Sequence, residues 1–229
     1  MGEMMIERRR ELQYDVCWQG IEEHGPVELG PLLSDTFRHD PRRLGFVLAR
    51  YKFVAKMLAG FESALEVGCA DGFGMRVVLQ TVKRVHGIDL DEQFVLWNRR
   101  QAEREGLAAT FESVDLTERA PQGRFAAAYS LDVIEHIEPA LEGRFLENIA
   151  ACLEPDGVCI IGTPNVTASS YASPQSEQGH INLKSEKTLH ESLGKFYRQV
   201  FIFGMNDEVL HTGFGPMSHY LLALAVGKR

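Results

Sequence analysis

Short apolar runs alternate with segments of helical periodicity over most of the 229 residues. One predicted strand begins at Ala64 and enters a glycine-rich turn, and further strands are predicted at 84–88, 109–114, 125–130, 158–162, 196–203 and 218–226. Helices are predicted at 75–80, 91–105, 139–153 and 185–193. Strands that alternate with helices are typical of an α/β domain built on a parallel sheet.

Before this alternation of strands and helices begins, the sequence pattern changes at about residue 40. Asp40 and Pro41 are residue types favoured at a helix N-terminus, and apolar residues then recur at helical spacing until Gly60. The opposite face of this helix is basic and includes Arg50. It is expected to be solvated, and the alternative is contact with an anionic acceptor or with the cofactor carboxylate. Residues 20–40 contain two Gly-Pro pairs and are predicted to form a loop, while a less regular pattern over 3–18 indicates a helix. We therefore divide the chain into an N-terminal extension or lid, residues 1–40, and a main domain, residues 41–229.

Composition places the chain among ordinary globular proteins, with 45% hydrophobic and 24% charged residues. The formal charge of −8 argues against nucleic-acid binding through bulk positive charge. No apolar run has the length of a membrane span or the character of a signal peptide. The four cysteines form no CxxC pair, which favours a reducing cytoplasm.

The first chemical signal lies in residues 64–74. A buried strand, a glycine-rich turn and a helix start bring backbone N–H groups close to a polar ligand at the helix N-terminus. The next strand ends in Asp89, whose carboxylate is placed to accept both hydroxyls of a ribose. A dinucleotide fingerprint needs glycines at relative positions one, three and six, where this chain has Gly68, Ala70 and Phe73. The bulk of Phe73 argues against a nicotinamide cofactor.

The run from Glu66 to Gly74 resembles motif I of the class I S-adenosylmethionine (SAM) methyltransferases, with Ala70 in place of the family's middle glycine. The resemblance covers about residues 60–165. It implies a Rossmann-like, seven-stranded, mostly parallel sheet with helices on both faces and a C-terminal antiparallel hairpin. It also implies that Asp115 accepts a hydrogen bond from the adenine amino group and that Leu116 packs on the ring. The implied SAM-binding residues are Glu66, Gly68, Cys69, Ala70, Gly72, Asp89, Leu90, Asp115, Leu116, Ser130 and Leu131.

A second group of polar residues follows the strand at 125–130. In a helical turn, Asp132, Glu135 and His136 would lie on one face, and two carboxylates with an imidazole suit a divalent metal. With the distant His180, the pattern resembles the ubiquinone-biosynthesis O-methyltransferases and the small-RNA 3′-terminal 2′-O-methyltransferases, although Asp132 replaces a glutamate. The resemblance implies that Asp132, Glu135, His136 and His180 hold a divalent cation, Mg²⁺ or a similar ion.

Three roles stay open for this group. It is a metal site, a metal-free catalytic site in which His136 is a general base oriented by Asp132 or Glu135, or a polar support for the loop. The catalytic candidates are His136, Asp132 and Glu135.

The sequence thus predicts a cytoplasmic SAM-dependent enzyme that methylates a hydroxyl of a small acceptor, such as a sugar, nucleotide sugar or secondary metabolite, and it leaves assistance by a divalent cation open. The alternatives are an N-methyltransferase of a small amine and a non-catalytic SAM-binding module. An RNA acceptor is disfavoured by the net charge, no membrane partner is expected, and a homodimer is left open.

Overall fold

The computed structural model describes residues 11–171 and 178–229. In chain order the elements are α1 (Asp15–His24), α2 (Pro31–His39), α3 (Arg42–Met57), β1 (Ala64–Val67), α4 (Met75–Val78), β2 (Val85–Asp89), α5 (Glu92–Glu105), β3 (Ala109–Ser113), β4 (Phe125–Leu131), α6 (Glu142–Ala151), β5 (Leu153–Pro164), α7 (Glu186–Gly194), β6 (Tyr197–Asn206), β7 (Val209–His211) and β8 (Tyr220–Lys228). Short 3₁₀ turns lie at Leu12–Tyr14, Ile134–His136, Val166–Tyr171 and Gly215–Met217.

Eight strands of the described residues form one sheet, in the order β3-β2-β1-β4-β5-β8-β6-β7. The first five are parallel, β8 is antiparallel to β5 and β6, and β7 is antiparallel to β6. The predicted Rossmann-like sheet with a C-terminal antiparallel hairpin is therefore confirmed. It has eight strands instead of seven because residues 209–211 pair with the end of β6.

The chain reverses its direction across the sheet between β1 and β4. From β1 it continues outward to β2 and β3, and it then returns to place β4 on the other side of β1. Val67 pairs with Ile88 of β2 and Ser130 of β4, so the carboxyl ends of these three strands meet at one edge. Open α/β sheets bind ligands at such a switch point.

Alternate residues of the central strands enter two hydrophobic layers. Leu65 and Ala128 lie in the layer that contains α6 and α7, whereas Ala64 and Ala127 lie in the layer that contains α3, α4 and α5. This alternation follows from the two-residue period of a β-strand. Helices therefore cover both faces of the sheet, as predicted.

The prediction of a loop over residues 20–40 was wrong. Helix α1 extends to His24, and α2 occupies 31–39. Each Gly-Pro pair lies next to a helix boundary: Gly25 directly follows α1, and Gly30 precedes Pro31, the first residue of α2. Residues 1–10, which include most of the helix predicted at 3–18, lie outside the described residues.

Two helices confirm their predicted capping. Asp91 accepts a hydrogen bond from the backbone N–H of Gln93 at the start of α5, and Gly106 ends this helix in the left-handed conformation. Ser185 forms a capping box with Thr188 at the start of α7.

Other boundaries differ from the prediction. Helix α6 is shorter than predicted. Strand β5 begins at Leu153, earlier than predicted, because residues 154–157 are extended. The pairing of β5 with β4 shifts its register between Phe125 and Ala127. In the described ranges, every helix is too short or too polar to cross a membrane.

Candidate active site

The turn after β1 folds tightly against the end of β2. The backbone N–H groups of Gly68 and Cys69 both donate to the carbonyl of Ile88, at 2.8 and 3.0 Å. Gly68 has φ of 74°, and a Cβ there would lie 2.3 Å from Cγ2 of Val133, so the position requires glycine. Ala70 adopts φ of 43°, which is uncommon for a residue with a side chain.

Asp89 stabilises this turn and still retains acceptor capacity. Its Oδ2 accepts from the N–H of Ala70 at 2.8 Å, and its Oδ1 accepts from the N–H of Asp91 at 2.9 Å. Each carboxylate oxygen has a further lone pair. Asp115, at the end of the neighbouring strand, accepts from the backbone N–H and the hydroxyl of Thr117 through one oxygen, Oδ1.

Two cavities meet at this turn. The β3-side cavity has a volume of about 310 Å³, and the α2-side cavity has a volume of about 340 Å³. Gly68, Ala70 and Asp132 line both of them. The β3-side cavity is also lined by Val67, Ile88, Asp89, Leu90, Val114, Asp115, Leu116, Thr117, Val133, His136, Ile137 and Phe145. The α2-side cavity is also lined by Leu32, Leu33, Thr36, Arg43, Phe46, Val47, Arg50, Tyr51, Cys69, Asp71, Gly74, Leu131, Glu135, Pro164 and His180.

Three predicted cofactor residues do not line either cavity. The carboxylate of Glu66 is buried between the hydroxyls of Tyr51 and Tyr129, which donate to it at 2.7 and 3.0 Å. Burial raises the pKa of Glu66 to about 8, although these two hydrogen bonds act in the opposite direction. Ser130 is buried and donates to the carbonyl of Val67. Gly72 packs against Asn98.

Arg50 and Asp132 form an ion pair at the wall of the α2-side cavity. Nη1 of Arg50 donates to Oδ1 and Oδ2 of Asp132 at 2.8 and 2.7 Å, and the guanidinium lies 3.8 Å from the centroid of the Tyr220 ring. The side chain of Arg50 is only 19% exposed, so the prediction of a solvated position was wrong. Sequence reasoning missed Arg50 because its partner lies 82 residues away in the chain.

Asp132 does not share a helical face with Glu135 and His136. It adopts φ of 58° and precedes the 3₁₀ turn, which contains only residues 134–136. The expected one-faced helical turn of all three residues was therefore wrong, because a left-handed residue cannot continue a right-handed helix.

Glu135, His136 and His180 lie together; Glu135 and His180 line the α2-side cavity, and His136 lines the β3-side cavity. Each offers a ligand atom, and these atoms all lie within 4.8 Å of one another. The imidazole rings of His136 and His180 are 5.0 Å apart, and Nδ1 of His136 lies 2.8 Å from the carbonyl oxygen of Gly179. A carbonyl oxygen only accepts, so Nδ1 carries the proton and Nε2 carries the free lone pair. We name these three residues the acid–histidine group.

Glu135 is fully buried and is only partly satisfied. Its Oε2 accepts from the hydroxyl of Thr163 at 3.0 Å, whereas its Oε1 is buried without a hydrogen-bond partner in the described structure. Burial, followed by the nearby charge of Asp132, raises the pKa of Glu135 to about 8. An unpartnered buried oxygen at a cavity wall is suited to a ligand.

Helix α2 forms one wall of the site, which sequence reasoning missed. Leu32, Leu33 and Thr36 line the α2-side cavity, and the buried carboxylate of Asp71 accepts from the N–H of Leu33 at 2.8 Å. Asp71 lies within the predicted glycine turn, but nothing in the local pattern connects it to residue 33.

These features define a class of protein. A glycine turn at the switch point of a Rossmann-like sheet lies beside an acid at the end of β2 and lines two neighbouring cavities, as in class I SAM-dependent methyltransferases. In the β3-side cavity, the carboxylates of Asp89 and Asp115 lie beside the apolar side chains of Leu90 and Leu116. Residues 37–196 match the model of a family described as a methyltransferase domain, and the chain belongs to this family.

Several curated relatives are ubiquinone biosynthesis O-methyltransferases. The ubiquinone biosynthesis O-methyltransferase of Rhodopseudomonas palustris (strain TIE-1) is 28% identical over 146 residues, which cover 61% of this chain and 57% of the relative. The mitochondrial ubiquinone biosynthesis O-methyltransferase of Arabidopsis thaliana is 30% identical over 144 residues, covering 58% and 44%. The chain thus spans about half the length of the curated relatives it matches.

Solved structures share the fold. The N-methyltransferase NodS of Bradyrhizobium japonicum WM9, in complex with S-adenosyl-L-homocysteine (SAH), has a TM-score of 0.58 at 17% identity and covers 92% of this chain and 97% of NodS. The 1,6-didemethyltoxoflavin-N1-methyltransferase of Burkholderia thailandensis has a TM-score of 0.63 at 20% identity, with 86% of each chain covered.

Proposed function

We propose that this chain transfers a methyl group from SAM to a hydroxyl of a small acceptor, and that Glu135, His136 and His180 hold a divalent cation beside that hydroxyl. The observation that carries the proposal is the convergence of three ligand atoms within 4.8 Å at the wall of both cavities. The names of the curated relatives support an oxygen acceptor over a nitrogen acceptor.

The β3-side cavity suits the nucleoside end of SAM. Asp89 would accept from the ribose hydroxyls through its remaining lone pairs, and Asp115 and Leu116 would contact the adenine. Gly68 and Ala70 line both this cavity and the α2-side cavity, where the acceptor would lie. When bound, SAM supplies an electrophilic methyl group, so the protein has to place and activate the acceptor oxygen.

The acid–histidine group suits activation of that oxygen. A cation held there would lower the pKa of a coordinated hydroxyl. The hydrogen bond to Gly179 would fix the tautomer of a neutral His136 and leave its Nε2 available as a ligand. Asp132 is paired with Arg50 and would act beside the group through its charge.

The donor set narrows the choice of cation. Mg²⁺ prefers oxygen ligands, whereas two imidazoles and one carboxylate suit Mn²⁺, Fe²⁺, Co²⁺ or Zn²⁺. We therefore propose one of these ions instead of the Mg²⁺ that the sequence suggested, and we choose Mn²⁺ as the probe.

The test combines binding and turnover. SAH and Mn²⁺ are titrated by calorimetry into EDTA-treated protein, and methyl transfer from labelled SAM to catechol and to methyl α-glucoside is then measured with and without Mn²⁺. We expect both ligands to bind, NAD not to bind, and transfer to require Mn²⁺. Substitution His180→Ala should weaken Mn²⁺ binding by at least about tenfold and reduce turnover while sparing SAH affinity.

The matched control is His190→Ala, at an exposed position of α7. It should leave both affinities and turnover unchanged. Unchanged Mn²⁺ affinity in His180→Ala, or full transfer after removal of metal, would contradict the cation site. Transfer to amines but not to the two hydroxylated probes would contradict O-methylation.

A further inference from the structure

Glu142, in the first turn of α6, joins three separate elements. Its Oε2 accepts from the ammonium of Lys184 and from Nδ2 of Asn182, the latter at 2.7 Å, and its Oε1 accepts from the hydroxyl of Ser192 at 2.5 Å. The side chains of Glu142 and Lys184 are only 12% and 8% exposed. A half-buried carboxylate therefore connects α6 with α7 and with the segment that carries Lys184.

That segment, residues 178–184, also carries His180. The backbone N–H of Asn182 donates to the carbonyl of Glu135 at 2.9 Å, and His136 bonds to the carbonyl of Gly179. His180 thus lies between Gly179 and Asn182, the two residues of this segment that are hydrogen-bonded to the 3₁₀ turn. The side chain of Asn182 also donates a hydrogen bond to Glu142.

We propose that Glu142 is a positioning residue that sets the place of the His180 imidazole beside Glu135 and His136, acting through Asn182 and Lys184. What His180 does once in place rests on the proposed function, whereas its placement does not.

Charge gives this connection its strength. Burial acts to raise the pKa of Glu142, but the hydrogen bonds from Lys184, Ser192 and Asn182 outweigh it and hold the pKa below its ordinary value. Glu142 is therefore an anion opposite a buried ammonium. Without that anion Lys184 would be a buried unpaired charge, which is strongly unfavourable. The segment would have to move for Lys184 to reach water, and His180 would move with it.

The test compares Glu142→Gln with a matched control, Glu147→Gln, on an exposed position of the same helix. The full chain is labelled for histidine-ring NMR, and the His180 resonance is identified by its loss in His180→Ala. We expect Glu142→Gln to shift the His180 ring resonance, because the ring would leave its contact with His136, and to weaken Mn²⁺ binding by about ten- to a hundredfold. SAH affinity should stay unchanged, and Glu147→Gln should change none of these quantities.

A milder variant covers the case in which Glu142→Gln does not fold. Ser192→Ala removes one hydrogen bond to Glu142 without leaving an unpaired charge, and it should shift the same resonance by a smaller amount. An unchanged His180 resonance in the folded variants, with only a lower melting temperature, would overturn the positioning role and leave Glu142 as a clamp between helices. If the wild-type chain does not bind Mn²⁺, the cation site of the proposed function fails, while the His180 resonance still decides the role of Glu142.

Discussion

The carboxylate of Asp71, in the turn after β1, accepts a 2.8 Å hydrogen bond from the backbone N–H of Leu33 in the first turn of α2. The residue before α2 is Gly30, which has no side chain to satisfy the free N–H groups of that helix end. Glycine is required there, since φ is 91° and a Cβ would lie 2.6 Å from Cβ of Asp71. A residue of the glycine turn therefore caps a distant helix and fixes it as a wall of the site.

Loss of this cap should destabilise the chain. We expect Asp71→Ala to lower the free energy of unfolding by about 1 kcal/mol, measured by urea denaturation, because one helix N–H loses its acceptor. Asp71→Asn keeps an acceptor oxygen and should lose less. Equal stability of the alanine variant and the wild type would show that Leu33 finds another partner.

Removal of the acid at the end of β2 should weaken cofactor binding. We expect Asp89→Ala to raise the Kd for SAH by about tenfold or more in calorimetry, since the ribose would lose a charged acceptor and the Ala70 N–H would lose its partner. Asp91→Ala removes only the cap of α5, so it should lower stability and preserve SAH affinity. An unchanged Kd in Asp89→Ala would remove Asp89 from the site.

A side chain at Gly68 should meet two separate obstacles. Its φ of 74° costs an L-residue about 1 to 2 kcal/mol, and its Cβ would lie 2.3 Å from Cγ2 of Val133. We expect Gly68→Ala to lower unfolding free energy by about 2 kcal/mol or more. In a chain that already carries Val133→Ala, Gly68→Ala should lower the unfolding free energy by less, because the contact with Cγ2 is gone and only the cost of the positive φ remains. Strict additivity of the two substitutions would disprove the contact.

Stability should depend on pH through Glu66. Its folded-state pKa of about 8 lies above the ordinary value, so the folded chain binds one more proton than the unfolded chain between those two values. This contribution is complete below the unfolded pKa and is lost as pH rises toward 8, with a slope of up to about 1.4 kcal/mol per pH unit. Glu66→Gln should remove this slope in urea titrations between pH 5 and 8.

Glu135 also makes stability fall as pH rises, since burial raises its pKa to about 8. Wild type and Glu66→Gln both contain Glu135. The comparison of Glu66→Gln with wild type therefore isolates Glu66. Identical pH dependence of the two proteins would mean that Glu66 is already ionised at neutral pH in the folded chain.

Local patterns were sufficient for the elements and for part of the site. Alternating apolar runs gave the strands, Asp91 and Gly106 bounded α5, and Ser185 began α7, because period and capping act over a few residues. The glycine turn and Asp89 were also predictable, since they follow the carboxyl ends of two neighbouring parallel strands, which meet at the same edge of the sheet.

The sequence by itself determined the α/β alternation, the glycine turn and the residue types available for chemistry. Only the tertiary structure decided that Arg50 is buried against Asp132, that Asp71 caps α2, and that Glu142 lies behind the segment of His180. These pairs join residues far apart in the chain. Their contacts depend on how the helical layers pack on the sheet, and a periodic pattern within one element carries no information about its partner in another.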